Sequence, residues 1–161
     1  MLTPAALDHA WIAGHIPHQG EMCLLDHVEM WDPQRIQCRA ISHRSASNPL
    51  RAYGRLGGAC GIEYAAQAMA VHGALLAAND NHPRPRAGYL VSVRGAQLHV
   101  ARLDDISADL QVQATCITRS DNNILYQFSV SAAGQRLLEG RAAIVTNADA
   151  PMPVATTEKA S

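Results

Sequence analysis

Residues 57–77 read GGACGIEYAAQAMAVHGALLA, an apolar run in which Glu63 is the one formally charged side chain. The alanine-rich spacing predicts a helix over about 58–78, and NDNHPRP, from Asn79 to Pro85, is its stop signal. A helix that is apolar on nearly all sides must be covered on nearly all sides. A bilayer is one such cover. Glu63, Gln67, His72 and the glycines argue against it, and no second run of this kind exists, so we expect no membrane insertion.

The other cover is protein. Thr3 and Pro4 read as the N-cap and first residue of a short helix over 4–13. Residues 21–42 read as a hairpin-like pair of strands. Met22, Leu24, Val28 and Met30 lie on one face, and Ile36, Cys38 and Ala40 share a face after the Asp32-Pro33 turn. SHRSASNPLRAYGRLGG is a polar loop of unusual length, which marks it as a functional candidate. After the long helix, Tyr89, Val91 and Val93 alternate, and the phase shifts at Arg94-Gly95, the sign of a bulge or bend. Three even-spaced sets follow: Leu110 to Cys116, Ile124 to Val130, and Leu138 to Ile144. Turns at Asp121-Asn122-Asn123 and Ala133-Gly134 separate them.

One helix and a run of long antiparallel strands give an α+β chain in which a curved sheet wraps the helix, the hot-dog architecture. We expect a single domain over 1–146 and a disordered tail over 147–161. One such sheet leaves an edge, and part of the helix, open. A second copy or a related subunit would cover both.

With 13 basic and 14 acidic residues, the chain lacks the positive excess of a nucleic-acid binder. Cys23, Cys38, Cys60 and Cys116 form no C-x-x-C and have no histidines at zinc-ligand spacing. We read them as buried apolar residues in a reducing compartment, with no metal site. The N-terminus lacks the pattern of a signal peptide, and the chain reads as soluble and cytoplasmic.

A carboxylate buried without a partner is costly, and desolvation favours its neutral form, which can donate a proton. Gln67, at i+4 from Glu63, reaches the same patch. Gly57 and Gly58 would let a substrate approach the helix start, where backbone N–H groups favour an oxyanion. The alternative is a solvent-facing Glu63, or one paired with Arg55 or Arg94. Asn48 and Tyr53, in the long loop, are candidates to line a substrate tunnel.

IPHQGEMCLLDHVEMWD resembles the opening of bacterial 3-hydroxyacyl-ACP dehydratases, through Pro17, His18, Leu24, Leu25 and Asp26. GIEYAAQAMA resembles the start of their central helix, where an acidic residue is followed four positions later by Gln. The resemblance puts Glu63 in the place of the catalytic acid. From Asn48-Pro49-Leu50 to YLVSVRGAQLHVARLDD the chain more closely resembles the dehydratase-like subunits of aryl-polyene lipid clusters. The family fold is the hot dog. The better-known dehydratases carry their catalytic histidine in a His-Phe-Pro-Gly-His-Pro run before this helix. That run is absent here, and Pro49 stands at its position.

His43, in the same loop, is the candidate base, and His18 reads as structural. The resemblance implies dehydration of a 3-hydroxyacyl thioester carried on the phosphopantetheine of an acyl carrier protein, with no cofactor. Arg84 and Arg86 could meet that carrier. A non-catalytic subunit that partners an active dehydratase, or an acyl thioesterase, are the alternatives. A homodimer and a heterodimer with a related hot-dog subunit are both open.

Overall fold

The computed structural model describes residues 7–79 and 87–147. In chain order the elements are α1 (His9–His15), β1 (His27–Trp31), β2 (Arg35–Ala40), α2 (Gly61–Asn79), β3 (Ala87–Leu98), β4 (Leu110–Arg119), β5 (Asn123–Ala132) and β6 (Gln135–Asn147). The strands form one antiparallel sheet in the order β1-β2-β4-β5-β6-β3. After β2 the chain leaves the sheet as α2, rejoins it at the far edge as β3, and crosses back to β4 beside β2. The long helix therefore packs against the sheet rather than beside it. This is the hot-dog arrangement that the strand pattern predicts.

The core follows from two periodicities. Every second residue of the central strands points at the helix: Leu110, Val112 and Ala114 on β4, Tyr126, Phe128 and Val130 on β5, Leu138 and Ala142 on β6. From α2, Tyr64, Ala65, Ala68, Met69, Val71 and Leu75 are buried against them. A Cβ on Gly61 would crowd Leu138, so β6 packs tightly against the first residue of α2. Ile36, Cys38 and Ala40 are buried on β2, as their alternation predicts.

Several expected boundaries move. The helix predicted over 4–13 begins at His9. Asp8 is the cap, and its Oδ1 accepts from the Trp11 N–H at 3.0 Å. Leu7 stays non-helical because its carbonyl is taken by the Val28 N–H at 2.9 Å, while Thr3 and Pro4 lie outside the described residues. Residues 20–22 form a 3-10 turn, and the strand starts only at His27. Cys116 is half-buried, not buried, because the β4–β5 register shifts between Cys116 and Thr118. Cys60 is half-buried as well. Of two β3 irregularities, one falls where the phase shift predicts it, between Arg94 and Gln97, with Gly95 at φ 61°; the other lies between Leu90 and Ser92. The expected tail over 147–161 lies outside the described residues except Asn147, which ends β6. Among the described residues, no helix is long and apolar enough to cross a membrane.

β3 is an edge strand of the sheet. Leu90, Val91 and Leu98 on it remain between 41% and 58% exposed, so this edge is apolar and, among the described residues, has no further strand beside it.

Among the described residues two histidines are buried completely, His43 and His72. His72 Nε2 lies 2.8 Å from the Asp32 carbonyl, which can only accept, so this nitrogen carries the hydrogen. Nδ1 therefore accepts from the Tyr126 hydroxyl at 2.7 Å. Burial pushes both imidazoles below the ordinary histidine range. The native state then stays neutral while the unfolded chain takes up protons. Stability is fully present above about pH 6.5 and falls as the pH drops below it, by up to about 1.4 kcal/mol per pH unit for each histidine. We predict that the urea midpoint drops between pH 7 and pH 5, and that His72→Gln shallows this slope. An unchanged slope in the variant would show that His72 does not carry it.

Candidate active site

A 3-10 turn at Gly58–Cys60 leads into α2, and Glu63 lies in the helix's first turn. A carboxylate there is favoured by the helix dipole. Its side chain is 35% exposed, so Glu63 is not the buried, unpartnered group that the apolar run suggests. The protein cover ends at this end of the helix, and the carboxylate emerges through it.

Its partner is His18. Nε2 of His18 lies 3.2 Å from Oε1 of Glu63, and the histidine side chain is 25% exposed. Neither Arg55 nor Arg94 pairs with Glu63 among the described residues. His18 comes from the segment between α1 and the Gly20–Met22 turn, and its Nδ1 is buried without a hydrogen-bond partner.

Gln67 lies one turn along α2 and is fully buried. Its Oε1 accepts from the Leu24 N–H at 2.9 Å, and its Nε2 donates to the Met22 carbonyl at 2.7 Å. These two bonds set the amide's orientation. They leave a second Nε2 hydrogen directed toward Glu63 Oε1 at 3.5 Å. Gln67 thus ties α2 to the segment that follows His18. The same Gly20–Glu21 turn forms one wall of a cavity of about 350 Å³, with Cys23, Ser42, Ser47 and Asn48 among its other walls.

The structure does not bring His43 to Glu63. His43 lies on the Ser42–Arg44 turn, fully buried, and its Nε2 sits 3.0 Å from the carbonyls of both Ile106 and Ala108. Carbonyls only accept, so Nε2 carries the hydrogen and the ring's lone pair is on Nδ1, which is buried without a partner. Asn48 is also committed. Its Nδ2 donates to the Ser42 carbonyl and the Tyr64 hydroxyl, and its Oδ1 accepts from the Leu50 N–H. Gly57 borders open space. A Cβ on Gly58 would sit 2.3 Å from the Val100 carbonyl oxygen, and the Gly58 N–H already donates to Ala101. Close approach of the chain after β3 explains that glycine. Tyr53 is 99% exposed and lines no cavity among the described residues. His82, Arg84 and Arg86 lie outside the described residues.

Sequence reasoning thus passed over His18 as a partner for Glu63. The Pro17-His18 step was a visible signal, but no local spacing links it to residue 63. Only the docking of the loop onto α2 brings the two together.

Against known proteins, the sequence model of the ApeP-like family, described as ApeP dehydratase, matches residues 11–153. No curated protein matches the chain in sequence. Among solved structures, a chain of the dehydratase heterocomplex ApeI:P from Xenorhabdus doucetiae superposes with a TM-score of 0.75 at 20% identity. That match covers 86% of this chain and 91% of that one. A thioesterase from Haemophilus influenzae gives 0.59 at 11% identity, covering 99% and 96%. A hypothetical thioesterase from Streptococcus pneumoniae, solved with coenzyme A, gives 0.52 at 11%, covering 74% and 84%. At these identities the superpositions establish the hot-dog fold alone.

Replacing Gln67 by Leu strands the Leu24 N–H and the Met22 carbonyl. Each unpaired buried group costs about 1–3 kcal/mol. We predict a loss of about 2 kcal/mol or more in urea unfolding. A loss below about 0.5 kcal/mol would mean that the amide is not the tether between α2 and the 20–24 segment.

Proposed function

The chain belongs to the ApeP-like dehydratase family, and from that premise we propose that it eliminates water from a 3-hydroxyacyl thioester to give a trans-2-enoyl thioester. The observation that carries this reading is the 3.2 Å contact between Glu63 and His18. Elimination needs a base for the C2 proton and an acid for the C3 hydroxyl, which leaves poorly as hydroxide. A carboxyl–imidazole pair that holds one proton between its members supplies both.

The step uses Glu63 as the acid and His18 as the base. His18 Nε2 takes the C2 proton, acidified by the thioester carbonyl. The C2 electron pair forms the double bond, the C3–O bond breaks, and the Glu63 proton completes the water. The site is left with a carboxylate and an imidazolium already in contact, so one proton transfer from His18 to Glu63 restores it. The start of α2 favours the enolate-like charge that develops on the thioester oxygen. Side chains supply every proton, and the steps call for no metal or organic cofactor. His18 takes the base role first expected of His43, whose hydrogen bonds hold the Ser42–Arg44 turn.

We assign the substrate to the phosphopantetheine arm of an acyl carrier protein, in fatty-acid-like or aryl-polyene lipid synthesis, and place the working unit as a pair of hot-dog subunits. A second reading has a specific observation behind it. The His-Phe-Pro-Gly-His-Pro run is absent, and the Xenorhabdus relative was solved as a heterocomplex. On that reading this chain is a non-catalytic subunit of an active dehydratase.

The test follows enoyl formation from a 3-hydroxyacyl carrier substrate, with the chain alone and with an ApeI-type subunit. We expect Glu63→Gln and His18→Gln each to lower kcat at least 100-fold, the usual scale of a lost general acid or base. His43→Asn should change stability more than rate. Turnover that survives both site variants overturns the assignment. Activity that appears only in the mixture and ignores Glu63 supports the second reading, and release of free acid supports a thioesterase.

A further inference from the structure

Asp104 follows β3 on the way to β4, and its side chain is only 6% exposed. A carboxylate withdrawn from water needs opposite charge and hydrogen bonds around it. Arg102 supplies both. Its Nε donates to Oδ1 at 3.0 Å, and its Nη2 donates to Oδ2. Arg51 adds a second positive charge, 4.0 Å from Oδ2. The Arg102 hydrogen bonds above all hold this carboxyl well below the usual carboxylate range. One further donor is not a side chain. The Leu56 N–H reaches Oδ1 at 3.0 Å.

Leu56 begins the segment that enters α2. It is fully buried, and its carbonyl accepts from the Leu103 N–H at 2.8 Å. Gly57 bridges Arg102, and the Gly58 N–H donates to the Ala101 carbonyl at 2.9 Å. Residues 56–58 thus run antiparallel to 101–103 as a short ladder, and Asp104 closes it at Leu56. The rest of the entry has no slack. A Cβ on Gly58 would meet the Val100 carbonyl oxygen, and one on Gly61 would meet Leu138. What holds residues 56–61 therefore sets the first turn of α2, and Glu63 is in that turn. His18 arrives on a separate segment, between α1 and β1. Its 3.2 Å contact with Glu63 depends on the entry segment staying where the ladder puts it.

We propose that Asp104 is a positioning residue for the Glu63–His18 pair: its bond to the Leu56 N–H locks the entry of α2 where the Glu63 carboxyl meets the imidazole. What the pair then does rests on the dehydration reading above. Asp104 acts through the backbone, and its hydrogen bonds go to Leu56 and Arg102 rather than to either member of the pair. A carboxylate suits this task better than a neutral acceptor. The Arg102 fork fixes it in two directions, and a charged acceptor holds an N–H more strongly. Displacing a reacting group by about 1 Å is enough to cost roughly 100-fold in rate, so a small loosening at Leu56 reaches the chemistry seven residues later.

The test takes Asp104→Ala and Asp104→Asn in the full chain through the enoyl assay above, alone and with an ApeI-type subunit. The asparagine keeps an oxygen for the Leu56 N–H, and the alanine does not. Well below the Tm of each variant, we expect Asp104→Ala to lower kcat at least about tenfold with KM within about twofold, and Asp104→Asn to recover most of that loss. A lower Tm with kcat unchanged marks a purely structural residue and overturns the proposal, as does an asparagine no better than the alanine. If Asp104→Ala does not fold, Arg102→Gln releases the carboxylate from its fork. A lower kcat at unchanged KM is then expected, and an unchanged kcat overturns the proposal. If wild type makes no enoyl product, alone or mixed, the dehydration reading fails by itself, and crystal structures of the same variants decide the positioning. A His18–Glu63 contact opened beyond about 4 Å sustains it, and one kept at the wild-type distance overturns it.

Discussion

The cover over α2 is the constraint on which the rest of the structure depends. Ala65, Ala68 and Ala74 let the strands come close, and Tyr64, Met69 and Leu75 fill the space between. The helix satisfies its own backbone, but it carries polar side chains inward with it, and each must find a partner. Gln67 meets the 22–24 segment, His72 meets Asp32 and Tyr126, and Tyr64 meets Ser42 and Asn48. Each contact fixes a loop to the helix, so the loops are placed by the need to satisfy polar groups that the apolar packing buried.

The candidate site sits where that cover stops. Glu63 comes from the rigid helix and His18 from a loop, and the Gln67 amide holds the helix to the loop. A hydrogen-bonded clamp next to a carboxyl–imidazole contact keeps the geometry without using either group of that contact as the tether. His43 shows the opposite design. Its ring hydrogen is spent on two backbone carbonyls, and burial keeps the ring neutral.

Much of the fold was legible because burial imposes a period. The long helix, the even spacing on β4 to β6, the bend near Gly95 and the turn at Ala133-Gly134 could all be read from local pattern. The start of α1 could not, since the capture of the Leu7 carbonyl by Val28 is a contact between distant segments. The exposed apolar face of β3 looked like any other strand in the sequence, because alternation does not say whether a neighbouring strand is present. In the site, Glu63 stood out as a lone charge in an apolar run. The histidine that meets it does not stand out, because His18 is far from residue 63 along the chain and only His43 lies in the adjoining loop.

By itself the sequence determined that one helix had to be wrapped, that antiparallel strands would wrap it, and that a single carboxylate would mark the helix start. These follow from periodicity and from the cost of burying charge, both of which act within a short stretch of chain. Which histidine joins that carboxylate, whether Gln67 faces a substrate or clamps a loop, and why Gly58 must be glycine were decided only by the tertiary structure. Each depends on segments far apart in the chain being brought within a few ångströms, where hydrogen-bond geometry and close packing select among residues that the sequence leaves equivalent.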